Sequence, residues 1–222
     1  MPPFPFQEDH EMIREAVKGW LSDWEDGGKT LHRVAKDGHG FDRAAWDGFA
    51  RDQGMAGISI AEQYGGAGMG LLGRTVIMEE TGYTLFSAPF FSTCVLAADI
   101  IEAFASEDDK ADLLNKIASG DIIISALDGR GKLSLEDNKL NGTISPATDA
   151  VHADLILVAT QNKDNDIVLT GYSPNTAGLS VTPYPSIDPT RSQAKVSFDN
   201  VSLSDGQAIG KTDETAFSQT LQ

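Results

Sequence analysis

Ile58-Ser59-Ile60-Ala61-Glu62-Gln63-Tyr64-Gly65-Gly66-Ala67-Gly68-Met69-Gly70 leads into the apolar run Leu71 to Met78 and then Glu79-Glu80-Thr81-Gly82. A glycine-rich turn feeds an apolar helix that ends in paired acids and a glycine. Gly65, Gly66, Gly68 and Gly70 admit two readings. One is a loop that cradles phosphate; the other is a plain turn that needs positive φ and close backbone approach. No strand-like run precedes the glycines and no Lys-Ser/Thr follows them, as a phosphate loop requires. The Glu79-Glu80 pair is also notable, because the dipole at a helix C-terminus and mutual repulsion both oppose it. Its plain reading is one solvated acid and one acid paired with a basic residue of another helix.

Outward from that stretch, the chain is long enough for one large domain or two small ones, at 222 residues. Its net charge of −16 argues against nucleic acid and anionic membrane surfaces as partners. Cations are sparse, so a polyanionic ligand must be held by backbone N–H groups or by a partner chain. No apolar run approaches the roughly 20 residues of a membrane span. Met1 to Asp9 lacks the basic start and apolar core of a signal peptide, so a cytoplasmic location is expected. Cys94 is the sole cysteine and sits in an apolar helical run, which reads as a buried, inert thiol. His10, His32, His39 and His152 show no metal-ligand spacing, so no metal site is expected.

The hydrophobic period changes near Gly120. Before it the pattern is helical, as in Met12, Ile13, Ala16, Val17, Trp20 and Leu21, ended by Gly27-Gly28. Asp42 reads as the N-cap of a helix carrying Trp46 and Phe49. Leu71 to Glu80 reads as a helix stopped at Gly82, and Ser92 to Ala105 as another. Ser106 reads as the N-cap of a helix whose first turn is acidic. After Gly120 come short β-rich runs at 121–127, 139–144, 155–160, 167–172, 179–183 and 193–198, with a hairpin tip at Asn162 to Asp166. The expected fold is α+β, an N-terminal all-α helical domain followed by an antiparallel β-barrel or sandwich. The expected divisions are 1–120, 121–211 and 212–222. The last would be the start of a truncated C-terminal helical domain, since Asp213 to Gln222 begins to look helical and stops without a cap.

Several motifs in order resemble the acyl-CoA dehydrogenases. Asp37-Gly38-His39-Gly40-Phe41-Asp42, Trp46 and the opening stretch follow that family's N-terminal domain, with Ala61 where proline is usual. Ile117-Ala118-Ser119-Gly120-Asp121 resembles its crossing into a β-domain. Asn141-Gly142, Ala153 to Ala159, Asp188-Pro189-Thr190-Arg191, Val196 to Val201 and Ile209-Gly210 resemble the strands that follow. The resemblance implies α,β-dehydrogenation of an acyl-CoA thioester. A carboxylate base takes the α-proton and FAD accepts the hydride. The family's base lies in a C-terminal helical domain, so no catalytic residue is assigned within this chain. The implied context is fatty acid or steroid side-chain catabolism in a homo- or hetero-oligomer. Electron-transfer flavoprotein or another acceptor would take the electrons.

The implied cofactor-binding residues are Leu127, Asp128, Pro146 and Thr148. Where the family carries Thr-Glu-Pro-x-x-Gly-Ser-Asp, this chain has Ser125 to Gly131 and lacks the Gly-Ser-Asp portion. That leaves Leu127 and Asp128 to offer backbone groups, and Arg130 as a phosphate cation or a solvated turn residue. The family's Trp-Ile-Thr falls on Pro146-Ala147-Thr148. Thr148 keeps the hydroxyl, whereas Pro146 removes a stacking surface. Asp149 stands where asparagine is common, and its charge would oppose a pyrophosphate. These departures leave two functional readings open beside a plain interaction module. One is a divergent FAD-dependent dehydrogenase; the other is a non-catalytic subunit that shapes a partner's site.

Overall fold

The computed structural model describes residues 7–36, 40–188 and 190–221. Asp37, Gly38, His39 and Pro189, which carried part of the resemblance, lie outside them. Seven α-helices occur among the described residues: α1 (Glu8–Glu25), α2 (Lys29–Lys36), α3 (Arg43–Asp47), α4 (Gly70–Tyr83), α5 (Ala98–Phe104), α6 (Glu107–Ala118) and α7 (Glu214–Thr220). Helix α1 buries His10, Val17 and Leu21 on one stripe and carries acids in its first turn, where the dipole favours them. Asp42 caps α3 by accepting from Ala45 N at 3.1 Å, and Ser106 caps α6 by accepting from Asp109 N at 3.2 Å. Both caps match the sequence expectation.

Two helix boundaries differ from it. Helix α4 runs through Gly82 to Tyr83 and closes with Leu85, not glycine, in the left-handed region at φ 54°. Phe86 N donates to Thr81 O and Leu85 N to Gly82 O, which satisfies the terminal carbonyls in the usual two-bond pattern. The run expected as one helix from Ser92 starts with π-helical turns over Phe91–Ala97 and becomes α5 only at Ala98. The Glu79-Glu80 pair meets Arg14 of α1, which bonds both carboxylates. Glu79 stays largely in solvent while Glu80 is buried, yet both pair across helices with Arg14, where the sequence reading had one acid merely solvated.

The glycine-rich stretch is a structural turn. Ala67 N donates to Gly57 O, Gly68 N to Ile60 O and Met69 N to Ile58 O, all within 3.0 Å. Those amides are spent inside the turn and none is left to cradle a phosphate. A Cβ on Gly66 would lie 2.1 Å from Ile60 O, and Gly65 has φ 84°. Glycine is required at Gly66 for close packing and at Gly65 for its left-handed backbone.

Eight strands form two four-stranded sheets. They are β1 (Ile124–Asp128), β2 (Leu133–Glu136), β3 (Lys139–Thr148), β4 (Leu155–Gln161), β5 (Ile167–Tyr172), β6 (Leu179–Pro183), β7 (Gln193–Ser202) and β8 (Gln207–Thr212). The orders are β1-β4-β5-β8 and β2-β3-β7-β6. The barrel alternative is corrected: neither sheet closes, and the two meet face to face, with Tyr172 of β5 against Phe198 of β7 at 6.0 Å between ring centroids. The sheets are also not wholly antiparallel, because β1 pairs with β4 in parallel. Strand β2 was not anticipated, and β8 only through the resemblance of Ile209-Gly210 to the family's closing strands. Strand β2 is short and half-exposed, and its hairpin to β3 turns on Asp137-Asn138, with φ 47° and 59°. A two-residue turn with both φ positive matches strand twist. The hairpin tip at Asn162 to Asp166 is present, closed by Asn162 N to Asp166 O.

Candidate functional site

Of the residues singled out for cofactor contact, Leu127 and Asp128 lie on β1, an edge strand, and Pro146 and Thr148 on β3. Leu155 N donates to Ile123 O and Gly129 N to Ala159 O, so the odd-numbered residues of β1 face β4. The even-numbered ones face the opposite edge, because backbone groups alternate along a strand. At Ile124 that edge is closed by a side chain. Ile124 N donates to Thr93 Oγ1 at 3.1 Å, and the Thr93 hydroxyl donates to Ile124 O at 3.2 Å. The N–H and C=O of Ala126 and Asp128 point the same way and have no partner among the described residues.

An apolar cavity of about 210 Å³ lies in front of them. Leu96 and Ile100 form one wall, Ala126, Leu127 and Asp128 the strand side, and Phe217 and Leu221 of the α7 region the other wall. Of the four candidate contacts, Leu127 and Asp128 line this cavity. Thr148 does not line it; its carbonyl accepts from the buried Ser125 hydroxyl of β1 at 2.7 Å. The Thr148 hydroxyl itself donates to Gln193 Oε1 at 3.3 Å. Pro146 is exposed on β3 and does not line the cavity.

Charge at the site differs from the sequence reading in two ways. Asp128 is held in a fork: Arg130 N and Nε donate to Oδ1 and Nη2 to Oδ2, at 3.0, 3.0 and 2.8 Å. Burial opposes ionisation of Asp128, but these bonds and the guanidinium charge hold its carboxyl below the usual range. Arg130 is thus neither a free phosphate cation nor a solvated turn residue. Asp149 turns inward: it is buried, and the Ser92 hydroxyl donates to its Oδ2 at 2.7 Å. Burial pushes its carboxyl up to about 6, against the Ser92 hydrogen bond and the charge of Arg191.

Sequence reasoning missed Thr93, Ser92 and the contacts of Arg130 with α7. Thr93 and Ser92 looked like ordinary members of an apolar helix, and their partners in the β-region lie 31 and 57 residues away. A second cavity of about 180 Å³, lined by Met78, Leu85, Phe86, Phe90 and Arg191 among others, opens between the end of α4 and the β6–β7 connection. Cys94 is buried, and burial raises its thiol far above the ordinary value, as expected of an inert thiol. Among the described residues no group of three or more His, Cys, Asp or Glu side chains is placed to hold a metal ion. No helix among them is long and apolar enough to cross a membrane.

Comparison with known proteins places this geometry. The chain is 28% identical over 190 residues to acyl-CoA dehydrogenase IpdE2 of Mycobacterium tuberculosis, covering 85% of this chain and 51% of that protein. It is 32% identical over 104 residues to the mitochondrial long-chain specific acyl-CoA dehydrogenase of Mus musculus, covering 43% and 21%. The chain therefore spans about half the length, or less, of these curated relatives. Among solved structures, the ChsE4-ChsE5 complex of Mycobacterium tuberculosis superposes with a TM-score of 0.84 at 20% identity, covering 97% of this chain and 60% of that one. An acyl-CoA dehydrogenase of Geobacillus kaustophilus gives 0.83 at 18%, covering 98% and 62%. At such identities these two show a shared fold. The family model described as acyl-CoA dehydrogenase, N-terminal domain, matches residues 7–121, more than half of the sequence, and the chain belongs to the acyl-CoA dehydrogenase family.

Proposed function

We propose that this chain is part of an FAD-dependent acyl-CoA dehydrogenase that oxidises the Cα–Cβ bond of an acyl-CoA thioester. One observation carries the reading: two unpaired amide positions, Ala126 and Asp128, face an apolar cavity. A flavin ring has one hydrogen-bonding end and one apolar end, and the site offers both kinds of surface. The backbone of Ala126 and Asp128 would hold the polar end, Leu127, Leu96 and Phe217 the apolar end. The Thr148 hydroxyl is available once it leaves Gln193. Bound there, FAD would supply the acceptor for the substrate hydride. Asp128 does not repel the cofactor's phosphates as a bare anion would, because Arg130 neutralises it. Asp149 is likewise withdrawn beneath Ser92.

The divisions 1–120, 121–211 and 212–222 belong to this proposal, with the carboxylate base outside the chain. So do a cytoplasmic location, a homo- or hetero-oligomeric assembly and transfer of electrons to an electron-transfer flavoprotein or similar acceptor. A non-catalytic subunit role is the second reading. What favours it is Pro146, an exposed residue that offers no aromatic face where the family has tryptophan. The absorbance spectrum of the purified full-length protein separates the two. Flavin bands near one per active site are expected; a colourless protein that added FAD cannot restore would leave only the subunit reading.

A further inference from the structure

Arg130 joins parts of the chain that no other described side chain joins in this way. Besides its fork on Asp128, its Nη1 donates to Ser218 Oγ of α7 at 2.9 Å and lies 3.9 Å from the Glu214 carboxylate. Its Cζ sits 4.9 Å from the centre of the Phe217 ring, a cation–π distance. Helix α7 is seven residues long, too short to persist without tertiary contacts. Its other anchor is Phe217 itself, which is buried and stands 6.2 Å from Phe104. Phe217 and Asp128 both line the cavity, so the arginine holds together a lining residue of β1 and one of α7.

From this geometry we infer that Arg130 is a positioning residue for the flavin site, fastening α7 to the end of β1 and so fixing the width of the cavity before the Ala126 and Asp128 amides. The inference rests on the flavin reading above. It assigns to one guanidinium a task for which the planar fork matters. Asp128 takes two side-chain donors, Ser218 a third, and the guanidinium carbon sits over the Phe217 ring. A lysine supplies a point charge and cannot do all three.

The test uses the intact full-length protein as wild type, R130K, R130M and S218A. FAD affinity is read from flavin fluorescence, and amide hydrogen exchange of residues 214–221 is read without FAD. Both Arg130 variants are expected to raise the FAD dissociation constant at least tenfold and to speed exchange in α7. S218A should move both in the same direction by a smaller factor, about threefold. Failure of lysine to rescue separates positioning from a role through charge alone. Wild-type affinity and unchanged α7 exchange in R130K would overturn the inference while the flavin reading stood. A wild-type protein that binds no FAD would overturn both, so the wild-type titration tells the two failures apart. Should R130M not fold, S218A decides: unchanged affinity and exchange overturn the inference, and parallel losses support it.

Discussion

Asp149 carries a measurable signature of its surroundings. Its carboxyl is raised to about 6 by burial, above the ordinary 3.8. The folded protein therefore binds that proton more tightly than the unfolded chain does. The resulting stabilisation is complete below the unfolded value and is lost as pH rises through about 6. Asn at this position keeps a partner for Ser92 without a charge. We predict that D149N stabilises the protein by roughly 1–3 kcal/mol at pH 8, with the gain fading toward pH 4. Urea unfolding at pH 8, 6 and 4 checks it, and a pH-independent difference would refute the assignment. The sequence showed that an acid stood here but not that its side chain turns inward. That depends on Ser92, which lies on a helix 57 residues earlier in the chain.

Two elements invite direct tests. The cap of α4 places Leu85 in left-handed backbone while leaving its side chain 59% exposed, so the leucine gains little burial for its strain. L85G is expected to stabilise the protein by about 1 kcal/mol, a rise of about 2–4 °C in Tm for a chain of this size. No change or a fall would show that the side chain matters more than the backbone. Strand β1 depends on one hydroxyl of the π-helical segment. T93V should cost about 2–3 kcal/mol, because it leaves the buried N–H and C=O of Ile124 unpaired. Thermal unfolding of T93V beside T93S, which keeps the hydroxyl, reads this out. Helices and caps were legible because their signals are local: apolar spacing, Asp42, Ser106 and paired glycines. The parallel pairing of β1 with β4 was not, since pairing direction leaves no trace within a strand. The β2–β3 hairpin left a faint one, in Asp137-Asn138.

At the scale of the whole molecule, the sandwich supplies one wall of the candidate site and α7 another, with a single hydrophobic cluster running from Val17 to Phe217. The fold was readable because the order of motifs followed that of a known family. The site was less so, because its walls come from residues 96, 127 and 217, far apart in the chain. The matched residues make up 51% of acyl-CoA dehydrogenase IpdE2. We predict that residues 1–222 alone bind FAD at least tenfold more weakly than the full-length protein. Parallel titrations measure this, and equal affinity would place the whole flavin site within these two sheets and seven helices.

The packing of Thr93 over β1 also bears on how much of that strand's edge other molecules can reach. An exposed sheet edge is a template on which another molecule's strand can grow, and proteins blunt such edges. Here a threonine occupies the rung at Ile124, and the strand ends at Asp128. Only the rungs at Ala126 and Asp128 stay open. That length is too short to recruit an intruding strand from a neighbouring molecule, yet long enough for a small flat molecule to dock. Removing the hydroxyl would open no third rung to a neighbour, because Ile124 and residue 93 are both fully buried, so T93V should lose stability without a longer sticky edge in the native state.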